Sequence, residues 1–217
     1  MRPDYDWSEA WDIYWMLKCL GVREVVDVGC GNGELVKYLR GGGFRATGCD
    51  IVIEDPRACT YCDITKPETV PIAEAWVFQH VLEHVPKESW KPLFKRAYEG
   101  GVKHIVIVAP GHISSDPTHV CNCFTPSMEG ILEGKFGRVN VCSVKELTDM
   151  LKEFGYTVRQ FPDSHSIEAP WSLDYIVIAS RVKHLTLRLA PWIMSSGLAF
   201  WLFLKLMKRL RRRLFRV

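Results

Sequence analysis

The sequence predicts an α/β fold: a mostly parallel sheet with helices on both faces. Three observations carry that prediction. The stretch VVDVGCGNGELVKYLR, residues 25–40, runs from an apolar β-branched segment through a glycine loop into a helical pattern, the opening of a βαβ unit. Further short apolar runs follow at RATGCDI, EAWVFQ and HIVIVAPG, separated by turn signals and helical patterns. Two β-rich runs, YTVRQF and LDYIVIASRV, then read as a closing hairpin.

Val25, Val26 and Val28 suit a covered, pleated strand. Leu35, Val36 and Leu39 fall on one face of a helix over Glu34–Arg40. Between them stand Asp27 and three glycines, Gly29, Gly31 and Gly33. Glycines at such a turn allow positive φ and let backbone approach a ligand closely. A dinucleotide loop spaces its glycines G-x-G-x-x-G, and a phosphate loop ends in Gly-Lys-Ser/Thr. Here the spacing is G-x-G-x-G and Gly33 is followed by Glu34. An acid at the helix start repels a pyrophosphate, so the loop suits a ligand with a cationic or amine-bearing end.

The remaining elements are placed by the same reasoning. RATGCDI is a strand ending at Asp50, where a carboxylate can accept both hydroxyls of a ribose. TYCDIT puts Asp63 at the end of a third short strand. EAWVFQHVLEHVP is a fourth strand and its turn, bringing Gln79, His80, Glu83 and His84 past the strand's carboxyl end. Ligands of doubly wound sheets sit at that end. MRPDYDWSEAWDIYWMLKCLG reads as a helix with a core-packing stripe of Trp7, Trp11 and Trp15. Another helix starts at Ser143, carries Leu147, Met150, Leu151 and Phe154 on one face, and stops at Gly155.

This ordered set resembles the class I S-adenosylmethionine-dependent methyltransferases over residues 20–182. The resemblance rests on Asp27 with its glycine loop, then Asp50 and Asp63 at successive strand ends. It implies a Rossmann-like seven-stranded sheet and a methyltransferase with S-adenosyl-L-methionine as cofactor. Cofactor contacts are expected at Asp27, Gly29, Gly31, Gly33, Asp50, Ile51, Asp63, Ile64 and Gln79. In the family the loop holds the methionine end, the second acid the ribose and the third the adenine amino group. The enzyme then has mainly to align a nucleophile with the methyl group.

His119 and His84 are the candidate catalytic residues. His119 belongs to DPTHVCNCFTPSMEGIL, which resembles a segment of methyltransferases of glycan assembly, and imidazole suits removal of a hydroxyl proton near neutral pH. Asp116 would orient it; the alternative is that His119 ties down its loop. His84 stands near the expected methyl group, or packs under the turn. Relatives that bind a divalent metal use E-x-x-E-H. This chain has His80 in the first position, and no metal is expected.

The eight cysteines, without a signal peptide, are expected as reduced thiols in the cytoplasm. The pairs Cys59/Cys62 and Cys121/Cys123 have poor spacing for zinc.

The domain is expected to span 1–182, with 111–142 as a cap and substrate loop. The net charge of +3 conceals a split: ten Lys or Arg and no acid lie in 181–217, leaving 18 basic against 25 acidic residues before it, a net of −7. Nucleic acid is therefore not an expected partner of the body. Residues 185–217 form a hydrophobic and then amphipathic basic segment. Leu189–Leu204 is short for a span, and seven basic residues from Lys205 to Arg216 accompany Leu206, Leu210 and Leu214. That pattern suits a helix on an anionic membrane surface. A core helix, an RNA-binding end and a dimer interface are the alternatives. The expected function is methyl transfer to an oxygen acceptor, glycan or lipid-linked, at the cytoplasmic membrane face. A quinone or lipid methyltransferase, or a non-catalytic scaffold of the same fold, are the rivals.

Overall fold

The computed structural model describes residues 7–110, 144–162 and 174–182. All of them lie in the unit Met1–Val182; the second unit, Lys183–Val217, lies outside the described residues. So do the expected cap loop, with His119, Asp116, Cys121 and Cys123, and the expected membrane segment.

The elements in chain order are α1 (Trp7–Cys19), β1 (Glu24–Val28), α2 (Glu34–Gly41), β2 (Arg45–Asp50), β3 (Cys59–Tyr61), β4 (Ala75–Gln79), α3 (Lys87–Glu99), β5 (His104–Pro110), α4 (Val144–Glu153), β6 (Thr157–Pro162) and β7 (Asp174–Ser180). The seven strands form one sheet in the order β3-β2-β1-β4-β5-β7-β6. β3, β2, β1, β4 and β5 are parallel; β7 is antiparallel to both β5 and β6. The closing hairpin is therefore inserted with its second strand inside. The strand sequence reverses direction between β1 and β4, which opens a crevice at their carboxyl ends.

Strand alternation builds the core. Trp76 and Phe78 on β4 share a face with Ile105 and Ile107 on β5, and all four are fully buried. Trp90, Leu93, Phe94 and Ala97 of α3, with Leu147 and Leu151 of α4, cover that face. Buried aromatics of this size dominate core energetics. α2 packs against β2 through the helix whose buried face is Leu35, Val36 and Leu39, as the periodicity predicts.

Two expectations change. The face of α1 turned to the core is Ala10, Ile13 and Leu17, each 0% exposed, while Trp11 and Trp15 are only half-buried. These two tryptophans join Tyr14 in an aromatic cluster, and Tyr14 continues it to Tyr38 and Phe44. A stripe spaced at i, i+4, i+8 drifts around a helix with 3.6 residues per turn, and the smaller aliphatic residues pack closer. Second, β3 ends at Tyr61, two residues before Asp63; its last ladder bond runs from the Cys62 N–H to the Asp50 carbonyl at 2.9 Å, and Asp63 lies beyond it.

Candidate functional site

The glycine loop leaves β1 after Val28. Gly29, Gly31 and Gly33 all have positive φ, between 50° and 80°. Two of these positions also lack room. A Cβ on Gly29 would stand 2.5 Å from Val81 Cγ2, and one on Gly33 would stand 2.6 Å from the Ala58 Cβ. The loop thus sits against the turn after β4 on one side and the approach to β3 on the other. Its amides are tied to β2: Gly29 N–H donates to the Cys49 carbonyl at 2.7 Å, and Gly31 N–H to Asp50 Oδ2 at 2.9 Å.

Asp50 is 7% exposed and also accepts the Val52 N–H on Oδ1 at 3.1 Å. Burial pushes its carboxyl above the ordinary range, against the pull of those backbone donors. Asp27, 2% exposed, is raised further: burial first, and then the neighbouring Asp50 charge, push it up to about 7. Two buried acids of like sign at the ends of adjacent strands favour a ligand that brings positive charge or donors.

Asp63 differs. Its Oδ1 accepts the Thr65 N–H at 3.0 Å and the Thr65 hydroxyl at 2.6 Å, and Oδ2 pairs with Lys66 at 3.1 Å. Burial alone would raise it, but Thr65 and Lys66 outweigh burial and hold it below the usual carboxylate range. Asp63 is thus engaged in its own turn. Ile51 and Ile64, the residues after Asp50 and Asp63, are half-buried.

Gln79 ends β4. Its Nε2 donates to Glu9 Oε2 of α1 at 2.7 Å. His80 follows with φ of 52° in the described backbone, its N–H donating to the Val108 carbonyl at 2.9 Å. The His80 Nε2 lies 2.9 Å from Glu9 Oε1 and 3.0 Å from Oε2. His84 lies in the one-turn helix Leu82–His84, just past this pair. Sequence reasoning missed Glu9. The signal was an acid on the apolar face of α1, beside Ala10 and one turn from Ile13, where a carboxylate needs a partner.

The cysteines depart from the expectation of reduced thiols. Cys30 pairs with Cys59 and Cys49 with Cys62, with Cα–Cα distances of 6.9 and 5.4 Å. Each member of C-x-x-C thus bonds to a different element. The Cys30 sulfur lies against Gly48, whereas Cys49, next along β2, belongs to the buried cluster on the α3 face. Strand alternation therefore puts the two pairs on opposite faces, too far apart in direction to share an ion. Among the described residues no group of three or more His, Cys, Asp or Glu is arranged to hold a metal. No helix among them is long and apolar enough to cross a membrane. A cavity of about 450 Å³ at the amino ends of β1 and β2, lined by Glu24, Arg45 and Ile72, lies at the opposite end of these strands from the crevice.

No family model and no curated protein matches this sequence. Solved structures do match the fold. The methyltransferase domain of a bacterial Hen1, CtHen1-CN, aligns with a TM-score of 0.58 at 15% identity, covering 80% of this chain and 97% of that one. A SAM-dependent methyltransferase from Archaeoglobus fulgidus aligns at 0.55 and 17%, covering 79% and 94%. Magnesium protoporphyrin IX methyltransferase from Synechocystis PCC 6803, solved with bound SAH and with bound SAM, aligns at 0.55 and 0.54, each at 16% identity, covering 80% of this chain and 82% and 78% of those. The described chain therefore has the Rossmann-like fold of the SAM-dependent methyltransferases, with its acids and glycines gathered at the carboxyl ends of β1 and β2.

Proposed function

We propose that this chain is an S-adenosylmethionine-dependent methyltransferase acting on an oxygen acceptor. The observation that supports it most is the joint between Gly31 and Asp50, 2.9 Å, at the reversal of strand order. It couples a glycine loop without phosphate-binding residues to a carboxylate that can accept a ribose. The residues present fit the cofactor. Gly29, Gly31 and Gly33 admit close approach, Asp50 offers the acceptor, and the buried Asp27 suits an amine-bearing end. Ile51 and Ile64 would flank the base, with Gln79 at the far side of the loop and Asp63 available once Thr65 releases it. When bound, the cofactor supplies an electrophilic methyl group on a positive sulfur; the protein's task is alignment and proton removal.

The acceptor proposed is a glycan or lipid-linked hydroxyl at a membrane surface, reached through residues 185–217. The support is the basic amphipathic pattern of that segment and the acidity of the rest. Solved neighbours include a mitomycin 7-O-methyltransferase and a small RNA methyltransferase, so acceptors of this fold are varied.

Calorimetric titration of the full-length protein in detergent with S-adenosylmethionine and S-adenosylhomocysteine tests the reading. Micromolar binding of both is expected. A folded sample that binds neither is a scaffold of this fold, not an enzyme. Binding without turnover on membrane-extracted lipids, glycans or RNA would point to a recruiting role.

A further inference from the structure

Resting on the methyl-transfer reading, we propose that His80, held by Glu9, is the group that takes the proton from the acceptor. The place is right: His80 is the first residue past β4, and the next residue, Val81, packs against Gly29 of the loop. The backbone is out of the ordinary: among the described residues His80 alone, glycines apart, has positive φ, 52°, a region that His enters more readily than most side chains but still seldom. Strain of this kind persists where the surroundings impose it, and it clusters at functional sites. Here it is imposed by the Val108 carbonyl from β5 and the Glu9 carboxylate from α1.

Glu9 is 1% exposed, and burying a carboxylate is costly unless it is hydrogen-bonded. The His80 side chain is 23% exposed, whereas that of its anchor is nearly fully buried. An anionic Glu9 requires a proton on Nε2, which leaves the lone pair of the neutral ring on Nδ1. This is the carboxylate–imidazole arrangement that fixes a tautomer and stabilises the imidazolium when a proton arrives.

The step balances. As the acceptor oxygen forms its bond to the methyl carbon, the C–S electron pair stays with sulfur and the oxygen's proton passes to Nδ1 of His80. The imidazolium, paired with Glu9, then returns the proton to solvent. His80 is the catalytic residue in this assignment and Glu9 a positioning residue. The other titratable groups carried by the elements at this end are Asp12 of α1, Asp27 of β1, Asp50 of β2 and His84 of the turn.

The test needs no acceptor. Full-length protein is titrated with S-adenosylmethionine, which is cationic at sulfur, and with S-adenosylhomocysteine, which is not, from about pH 5.5 to 8.5. A protonated ring beside the reacting carbon disfavours only the first. The ratio of the two affinities is expected to fall on the order of tenfold as pH drops through the imidazole range. Ionisation of Asp27 or Asp50 also favours the sulfonium as pH rises, so the His80 contribution is read as the part of the slope that its replacement removes. His80→Asn, chosen because Asn tolerates the left-handed backbone and because it keeps both acids, should reduce the slope to the part those acids carry. Glu9→Gln should move the midpoint to lower pH. A flat wild-type ratio, or a slope that His80→Asn leaves unchanged, overturns the assignment of His80. An unmoved midpoint in Glu9→Gln overturns the role of Glu9. Folded wild-type protein that binds neither ligand overturns the methyltransferase reading and this inference with it, an outcome distinct from a flat ratio.

Discussion

The Gly31 N–H donates to Asp50 Oδ2 at 2.9 Å, so the loop that follows β1 is held by the last residue of β2. Asp50 therefore shapes the loop as well as facing the crevice. Asp50→Ala is expected to weaken S-adenosylhomocysteine binding at least about 100-fold, from the loss of two charge-assisted hydrogen bonds to ligand and of the loop tie. Calorimetry checks this; unchanged affinity would place the cofactor elsewhere.

Gly29 meets Val81 where no side chain fits. Gly29→Ala would add both the close contact and a positive φ on an L residue. Backbone strain there costs about 1–2 kcal/mol, and the contact adds to it. The double variant Gly29→Ala/Val81→Ala should recover the steric part and leave the backbone part. Chemical denaturation of the three proteins separates the two, and a double variant no better than the single would remove Val81 from the account.

Asp27 links stability to pH. Below its ordinary value of 3.8 the carboxyl is protonated in both states. As pH rises from there to about 7, the unfolded chain ionises at Asp27 while the folded chain holds the proton, so folding loses stability through that window and the loss levels off above it. Asp27→Asn escapes this. It should be more stable than wild type by roughly 2–4 kcal/mol at pH 8, with no such gain at pH 4. Denaturation midpoints at the two pH values decide; a difference that does not grow with pH would contradict the burial of a neutral acid.

The cysteine pairs span 29 and 13 residues of sequence. Each closure is worth about 3 kcal/mol in the chain-entropy account. Protein kept without reductant should lose roughly 10–25 °C of Tm when a strong reductant is added. Thiol titration in denaturant before and after reduction provides the control. Finding no thiols released by reduction would mean that these four side chains are packed but unbonded.

How legible the molecule was depended on the range of the forces involved. The strand at Val25–Val28, the helix bearing Leu35, Val36 and Leu39, and the stop at Gly155 follow from local propensity, periodicity and glycine's access to positive φ. Asp27 and Asp50 could be singled out because an acid ending an apolar run is conspicuous in one dimension. Asp63 could also be singled out, yet its neighbours Thr65 and Lys66 satisfy it locally, a competition that spacing does not reveal.

By itself, then, the sequence determined the order of strands and helices, the absence of phosphate-binding residues from the glycine loop, and the split between an acidic body and a basic end. Tertiary structure alone decided the rest. It brought Glu9 to Gln79 and His80 across some seventy positions, at 2.7 and 2.9 Å. It paired Cys30 with Cys59 and Cys49 with Cys62 in place of the local C-x-x-C, and turned Ile13 and Leu17 inward in place of Trp11 and Trp15. The physical reason is common to all three. Local preferences act over a turn or two of chain, whereas which side chains share a buried volume is set by how the sheet and helices close on one another, and only there must a carboxylate find its donor and a sulfur its partner.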